Sequence, residues 1–136
     1  MFLKLGDIIY DCASYEKIGL EHELRWMCLR DYTIWKNDDL ISLFGFKDQQ
    51  SIEDSGEFVQ LFRVDIIMLE KKFMKLFSFK EQSAVQLSAE HTNYDKAFLC
   101  FVENHNQLSQ WYEFEHMHLL NAAVEWCKKN HIRYRI

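Results

Sequence analysis

The residues best suited to chemistry lie in one stretch near the end of the sequence, QWYEFEHMHLLNAAVEWCKKNHIRY at residues 110–134. This stretch holds three histidines, a cysteine and several acids, which are the side chains that bind metals or move protons. A helix over about residues 115–129 would carry most of them and would end at Asn130, after two lysines that suit a helix carboxyl terminus. Their chemistry therefore depends on which face of this helix each one occupies.

The spacing within this helix favours packing over a reactive centre. At 100° per residue, His116 falls in the apolar half of the helical wheel with Trp126 and Cys127, whereas His118 falls in the other half. His116 and Cys127 are about 16 Å apart along the axis, too far to share one metal ion. We therefore predict that both are buried packing residues, and that Glu113 or a backbone carbonyl is the hydrogen-bond partner of His116.

The sequence contains no established motif for catalysis or cofactor binding. It lacks G-x-S-x-G and G-x-G-x-x-G, and its 4 glycines are not clustered, so a glycine-rich phosphate loop is excluded. No two cysteines form a C-x-x-C pair, and no familiar zinc-ligand spacing is present. We predict no cofactor and no metal site. We also expect free and mostly buried thiols at Cys12, Cys28, Cys100 and Cys127.

Composition indicates a folded chain rather than a disordered one. The 136 residues are 49% hydrophobic and 15% aromatic, which is enough apolar surface to build a core. The net charge of -5 belongs to residues 1–56, which hold 6 basic and 11 acidic side chains. Such acidity argues against nucleic-acid binding. Because the sequence shows neither a membrane-length apolar run nor a secretion signal, we expect a cytoplasmic protein with no membrane association.

Hydrophobic periodicity predicts an α+β fold. We expect a single compact domain over residues 1–136, in which a small antiparallel sheet of three to four strands packs against four to five helices. For residues 1–56 the pattern predicts a short helix, a β-hairpin that pairs 22–29 with 32–36, a short strand or turn in LISLFGF, and a polar surface loop at 47–56. The buried face of the short helix is expected to hold Leu5, Ile8, Ile9 and Cys12.

Residues 57–136 are predicted to form a strand followed by a helical region. The strand lies in EFVQLF, and the next helix has Asp65 as its N-cap. Two more helices follow in residues 80–90 and 93–108, then the long last helix and a closing strand in HIRYR. The buried stripe of the helix after Asp65 is expected to contain Ile66, Leu69, Phe73, Leu76 and Phe77.

The aromatic pattern of the same region resembles the carboxyl-terminal signature of a bacterial group, uncharacterised protein family 0158. That signature reads W-Y-x-F, a helix, E-W-C, a short polar turn and I-x-Y. The matching residues are Trp111, Tyr112, Phe114, Glu125, Trp126, Cys127, Ile132 and Tyr134. KAFLCF and LKLGDII are similar to the family's A-F-x-x-F segment and its opening, and the resemblance is best over residues 57–136. The family has no established reaction, so the resemblance implies a shared core and a bacterial origin.

Three functions fit these observations. The favoured one is a non-catalytic module that binds or regulates another protein, because the chain has an acidic first part, an aromatic excess and no catalytic constellation. The first alternative is an enzyme of unknown reaction with a site near His116 and Glu113, completed by the segment 94–101. The second alternative is a nucleic-acid-associated protein that uses the lysines Lys71, Lys72, Lys75 and Lys80.

Overall fold

The computed structural model describes residues 1–15 and 24–136 and shows short strands combined with helices. The strands are β1 (Leu3–Lys4), β2 (Ala13–Ser14), β3 (Arg25–Cys28), β4 (Ile34–Lys36), β5 (Phe58–Gln60), β6 (Val64–Asp65) and β7 (Tyr134–Arg135). The α-helices are α1 (Asn37–Phe44), α2 (Gln49–Asp54), α3 (Ile66–Met74), α4 (Phe79–Ala89), α5 (Tyr94–Asn104) and α6 (Leu108–Lys129). These elements form one compact α+β domain, as the periodicity predicts.

The predicted hairpin is confirmed for the residues that the structure describes, although positions 22 and 23 of its first strand lie outside them. β3 is the central strand of a three-stranded antiparallel sheet with the order β4-β3-β5, and Trp26 is opposite both Trp35 and Gln60. The turn closes because the Asp31 side chain accepts a hydrogen bond from the backbone N–H of Thr33 at 3.1 Å. The third strand expected in EFVQLF is β5.

The expectation of a strand or turn followed by a surface loop at residues 37–56 is wrong, because this segment forms α1 and α2. α1 ends at Gly45, whose φ of 75° is the left-handed conformation that glycine adopts without strain. α2 begins with Asp48 and Ser51, which cap each other's backbone N–H groups. Both helices are short, and they form because Leu40 and Ile52 pack with Trp26 in a small separate core.

The helices of residues 57–136 are confirmed, with corrected boundaries and faces. Asp65 caps α3 by accepting from the backbone N–H of Met68, and Ser78 caps α4 in the same way. α6 begins at Leu108, earlier than the sequence indicates. Leu76 is not part of the buried stripe after Asp65, because α3 ends at Met74 and the Leu76 side chain is 74% exposed.

The main hydrophobic core joins both parts of the chain. It includes Leu5 and Met27 from the first part and Phe98, Trp111 and Leu119 from the second. The four apolar residues expected on the first helix are buried, although the segment forms two 3-10 turns, with Ile8 between them, rather than an α-helix. Two short parallel pairs, β1 with β7 and β2 with β6, hold the opening segment against later elements. Within the described ranges, no helix has the length and apolarity of a membrane span.

Candidate functional site

The histidine predicted to pack in the core lies on the surface. His116 is exposed, and its Nδ1 atom lies 3.2 Å from the hydroxyl of Tyr10, which replaces Glu113 as the expected polar partner. Glu113 is exposed as well. The prediction that His116 is a buried packing residue is therefore wrong. Cys127, by contrast, is fully buried as predicted, and burial raises the pKa of its thiol to about 11.

The error has a geometric cause in the way α6 packs. A wheel centred on one face assumes that the buried stripe runs parallel to the helix axis. In the structure the stripe advances by four residues at each step, and so turns by about 40° per step around the helix. The buried residues of this stripe are Trp111, Glu115, Leu119, Ala123 and Cys127. His116 has nearly the same angular position as Cys127, but it lies eleven residues earlier in α6. At that level of the helix the buried stripe is on a different side, so His116 is exposed.

This buried stripe contains a carboxyl group that lines a pocket with two others. Glu115 of α6 meets Glu70 of α3 and Asp95 from the first turn of α5, at a pocket of about 210 Å³. Glu70 is 0% exposed and Glu115 is 6% exposed. Three acids from three helices therefore border one cavity, and its lining in the described residues contains no lysine or arginine.

The polar atoms of this carboxyl pocket are incompletely satisfied. Both carboxyl oxygens of Glu70, and Oδ1 of Asp95, are buried and accept no hydrogen bond from an N–H or hydroxyl of the described residues. Buried acceptors without donors are rare, since each costs about 1–3 kcal/mol. A hydrogen bond between the Glu70 and Asp95 carboxyls is possible only if one of them is protonated, because an ionised carboxylate has no hydrogen-bond donor. The burial of these two neighbouring carboxyls therefore favours a shared proton.

The electrostatics of the pocket agree with a protonated Glu70. Its pKa is raised from 4.5 to about 10, first by burial, then by the hydrogen bond with Asp95 and by the negative charges of Asp95 and Glu115. The pKa of Glu115 is also raised, first by burial and then by Asp95. At neutral pH, Glu70 is therefore an uncharged acid that faces neighbouring carboxyls.

Aromatic side chains, together with Leu99, form the remaining wall of the pocket. Trp111 is buried, whereas Tyr15 and Tyr112 line the pocket and are about half exposed. The pKa of the Tyr15 hydroxyl is raised to about 12, chiefly by burial and then by the charge of Glu115 and the other two acids. Beside the pocket, the Lys71 ammonium lies 5.2 Å from the centre of the Tyr94 ring. A cation that enters the pocket would contact carboxyl groups as well as aromatic rings.

The sequence contains a signal for two of these three acids. Glu70 lies four residues after Ile66 and four before Met74, and both of those neighbours are buried. Glu115 has the same relation to Trp111 and Leu119. A glutamate at a stripe position of an amphipathic helix indicates a buried carboxyl. Asp95 has no such signal, because an acid in the first turn of a helix is ordinary.

Two chemical abilities follow from this arrangement. Buried carboxyls without donors bind a positively charged group that brings its own N–H groups. A protonated acid beside a carboxylate also suits acid–base catalysis. A metal ion is not indicated, since no group of three potential ligand side chains in the described part of the chain is arranged to hold one. The sequence-based prediction that the protein binds no metal stays a prediction.

None of the lysines considered for nucleic-acid contact lines the carboxyl pocket. Lys71, Lys72 and Lys75 are exposed, and the Lys72 ammonium lies 3.3 Å from Nε2 of His118. The other ring nitrogen of His118 lies 2.9 Å from the backbone carbonyl of Phe114, which identifies it as the N–H donor. Nε2 therefore accepts from the lysine, and this histidine helps to orient a surface ammonium.

Comparison of the chain with family models, curated proteins and solved structures gives no match. The resemblance to uncharacterised protein family 0158 stays a prediction.

Proposed function

We propose that this protein is a non-catalytic, cytoplasmic binding module that holds a positively charged group of another protein in the carboxyl pocket. The observation that carries this proposal is the fully buried Glu70, whose two oxygens lack donors beside two other acids. A ligand with N–H groups and positive charge would supply both missing quantities, hydrogen-bond donors and countercharge.

The shape of the pocket also supports a side chain as the ligand. Its lining combines the half-exposed rings of Tyr15 and Tyr112 with the fully buried Glu70. A lysine or arginine can place its apolar stem along such rings while its charged head reaches the acids. A partner segment of positive charge would also be attracted by the overall charge of -5.

The test is a titration of the isotope-labelled protein, followed by NMR. A lysine-rich peptide should shift the indole N–H signal of Trp111 and the amide signals of Glu70 and Glu115, because these residues line or border the pocket. A glutamate-rich peptide of the same length should leave them unchanged. If the basic peptide shifts none of these signals, or the acidic peptide shifts them equally, the proposed function is wrong.

Matched variants separate the pocket from the general negative charge. Glu115→Gln should weaken binding of the lysine-rich peptide about tenfold or more, because it removes a buried charge that faces the ligand. Glu113→Gln changes the net charge identically on the same helix, but Glu113 is exposed and outside the pocket lining. It should change the affinity less than about twofold, since exposed pairs contribute little.

Acid–base catalysis is the second candidate, supported by the proton that Glu70 and Asp95 share. It ranks second because Glu70, with a pKa raised to about 10 by burial and its acidic neighbours, holds its proton too tightly for efficient transfer at neutral pH. Turnover of a panel of ester, amide and glycoside substrates, lost in both Glu70→Gln and Asp95→Asn, would favour it. This candidate replaces the alternative centred on His116 and Glu113, which lie on the surface.

A further inference from the structure

The carboxyl pocket lacks both hydrogen-bond donors and positive charge. Not every cation supplies both of them. A quaternary ammonium supplies charge but has no N–H group. A primary ammonium supplies three donors, and a guanidinium five. Three buried oxygens of the pocket, two on Glu70 and Oδ1 of Asp95, accept no hydrogen bond from an N–H group of the described residues. The number of unfilled acceptors therefore favours a cation that carries several N–H groups.

Resting on the proposed function, we infer that the ligand is an unmethylated lysine or arginine side chain, and that its N–H groups replace the proton shared by Glu70 and Asp95. In the empty pocket this proton lets two facing carboxyls coexist. When the cation enters, each of its N–H groups donates to a carboxylate oxygen. The Glu70 O–H bond breaks, its electron pair stays on the carboxylate, and the proton passes to a buffer base.

The charged and titratable groups that surround Glu70 in the described part of the chain hold its proton in place before a cation enters. Asp95 of α5, Glu115 of α6 and Asp65 at the start of α3 each act to keep Glu70 protonated while the pocket is empty. Tyr15 and Tyr94 lie beside it as neutral hydroxyls at pH 7, since the pKa of each is raised by burial and by Glu70 or its acidic neighbours.

The neighbouring cation does not remove the need for this proton. Lys71 follows Glu70 in α3, and its ammonium lies over the Tyr94 ring, 5.2 Å from the ring centre. It is outside the pocket lining. An ammonium that enters the pocket would lower the pKa of Glu70, because an opposite charge within hydrogen-bond distance stabilises the ionised carboxylate. Glu70 then ionises at neutral pH, and binding releases up to one proton.

The experiment is calorimetry of the full chain with two peptides that differ only in one central side chain, lysine or trimethyl-lysine. Each titration is run at about pH 7 in two buffers of different ionisation enthalpy, which measures protons released. The lysine peptide should release a measurable fraction of one proton, and its affinity should rise with pH, by at most about tenfold per unit. The trimethyl-lysine peptide should bind about tenfold more weakly or worse.

Glu70→Gln is the variant that isolates the exchange. The amide is close to the shape of the protonated acid and can donate to Asp95, so the fold should be retained while no proton is left to release. Its binding of the lysine peptide should be weaker and no longer accompanied by proton release. Glu113→Gln, on the surface of α6, should behave as the natural sequence does.

The outcomes distinguish this inference from the function on which it rests. If lysine and trimethyl-lysine bind equally, or if the lysine peptide binds without proton release, the inference is overturned while the pocket remains a cation site. Proton release that persists in Glu70→Gln would overturn it too, because another group would then be the source. If neither peptide binds, and a third peptide with arginine at the central position does not bind either, both the inference and the proposed function are wrong.

Discussion

The indole N–H of Trp126 donates a hydrogen bond of 2.9 Å to the backbone carbonyl of Gln60, 66 residues earlier in the chain. Gln60 belongs to β5, and its carbonyl lies away from β3, so Trp126 satisfies an edge-strand acceptor. The Trp126 ring is 7% exposed and lies 5.5 Å from the ring of Phe62. One side chain therefore joins the last helix to the sheet by packing and by a polar contact.

We expect Trp126→Ala to lower the free energy of unfolding by about 3–5 kcal/mol, because it leaves a large cavity and an unpaired carbonyl. Trp126→Phe is the matched control, since it keeps one aromatic ring while it removes the N–H donor and part of the buried volume. It should cost about 1–2 kcal/mol less than the alanine variant. Urea unfolding followed by circular dichroism measures both, and an unchanged midpoint for Trp126→Ala would contradict the core role.

The four thiols are free in the structure, and they should differ widely in reactivity. Cys100 is exposed, Cys28 is half-buried, and Cys12 and Cys127 are buried. Burial raises the pKa of Cys12 to about 12 and that of Cys127 to about 11, so neither is a thiolate at neutral pH. With iodoacetamide under native conditions, we expect rapid modification of Cys100 and slower modification of Cys28.

Peptide mass spectrometry measures this order at each cysteine. Cys12 and Cys127 should react only after unfolding, and a urea-treated sample is the control that makes all four thiols accessible. Native modification of Cys127 at the rate of Cys100 would contradict the buried position given to it. A disulfide in the non-reduced protein would contradict the free thiols.

Much of the fold is predictable from the sequence, because in most elements the local sequence pattern favours the same structure as the tertiary packing. α3 has an N-cap at Asp65 and a regular apolar stripe, and the hairpin has Asp31 in its turn. α1 and α2 are different, because their stability depends on Leu40 and Ile52 contacting Trp26. No local pattern in residues 37–56 reveals that contact, and short helices need such tertiary support.

The candidate site is less predictable than the fold. Glu70 and Glu115 occupy apolar stripe positions, which is a readable sign of burial. Their convergence with Asp95 depends on the packing of α3, α5 and α6, a relation between distant segments that periodicity does not encode. His116 shows the opposite case, because its wheel position indicates burial whereas the inclined stripe of α6 leaves it exposed.

The surface position of His116 gives a further prediction. His116→Ala should change the free energy of unfolding by less than about 0.5 kcal/mol, because the side chain is exposed and loses only its contact with Tyr10. Leu119→Ala, three residues later and 0% exposed, should cost about 2–5 kcal/mol and serves as the buried comparison. Thermal and urea unfolding measure both. An equal loss in the two variants would restore the core interpretation of His116.

The last prediction concerns Glu70 and the dependence of stability on pH. The pKa of Glu70 is raised in the folded protein from 4.5 to about 10, by burial first and then by its acidic neighbours. The folded state therefore keeps a proton that the unfolded chain loses above about pH 4.5. Its contribution to stability is complete below that pH and declines as pH rises toward about 10, by at most about 1.4 kcal/mol per unit. The raised pKa of Glu115 adds a decline of the same sign.

Between about pH 5.5 and about pH 8 we therefore expect the free energy of unfolding to fall, and Glu70→Gln to flatten that fall. At about pH 8 the variant should be more stable than the natural sequence by about 1–3 kcal/mol, because an amide is neutral in both states and its folding needs no proton uptake. The raised pKa values of Cys12, Cys127 and Tyr15 change the free energy of unfolding only at higher pH, above this range. Glu113→Gln, an exposed acid, should leave the slope unchanged. An unaltered slope in Glu70→Gln would show that Glu70 is ionised in the folded protein, and the shared proton with Asp95 would then be wrong.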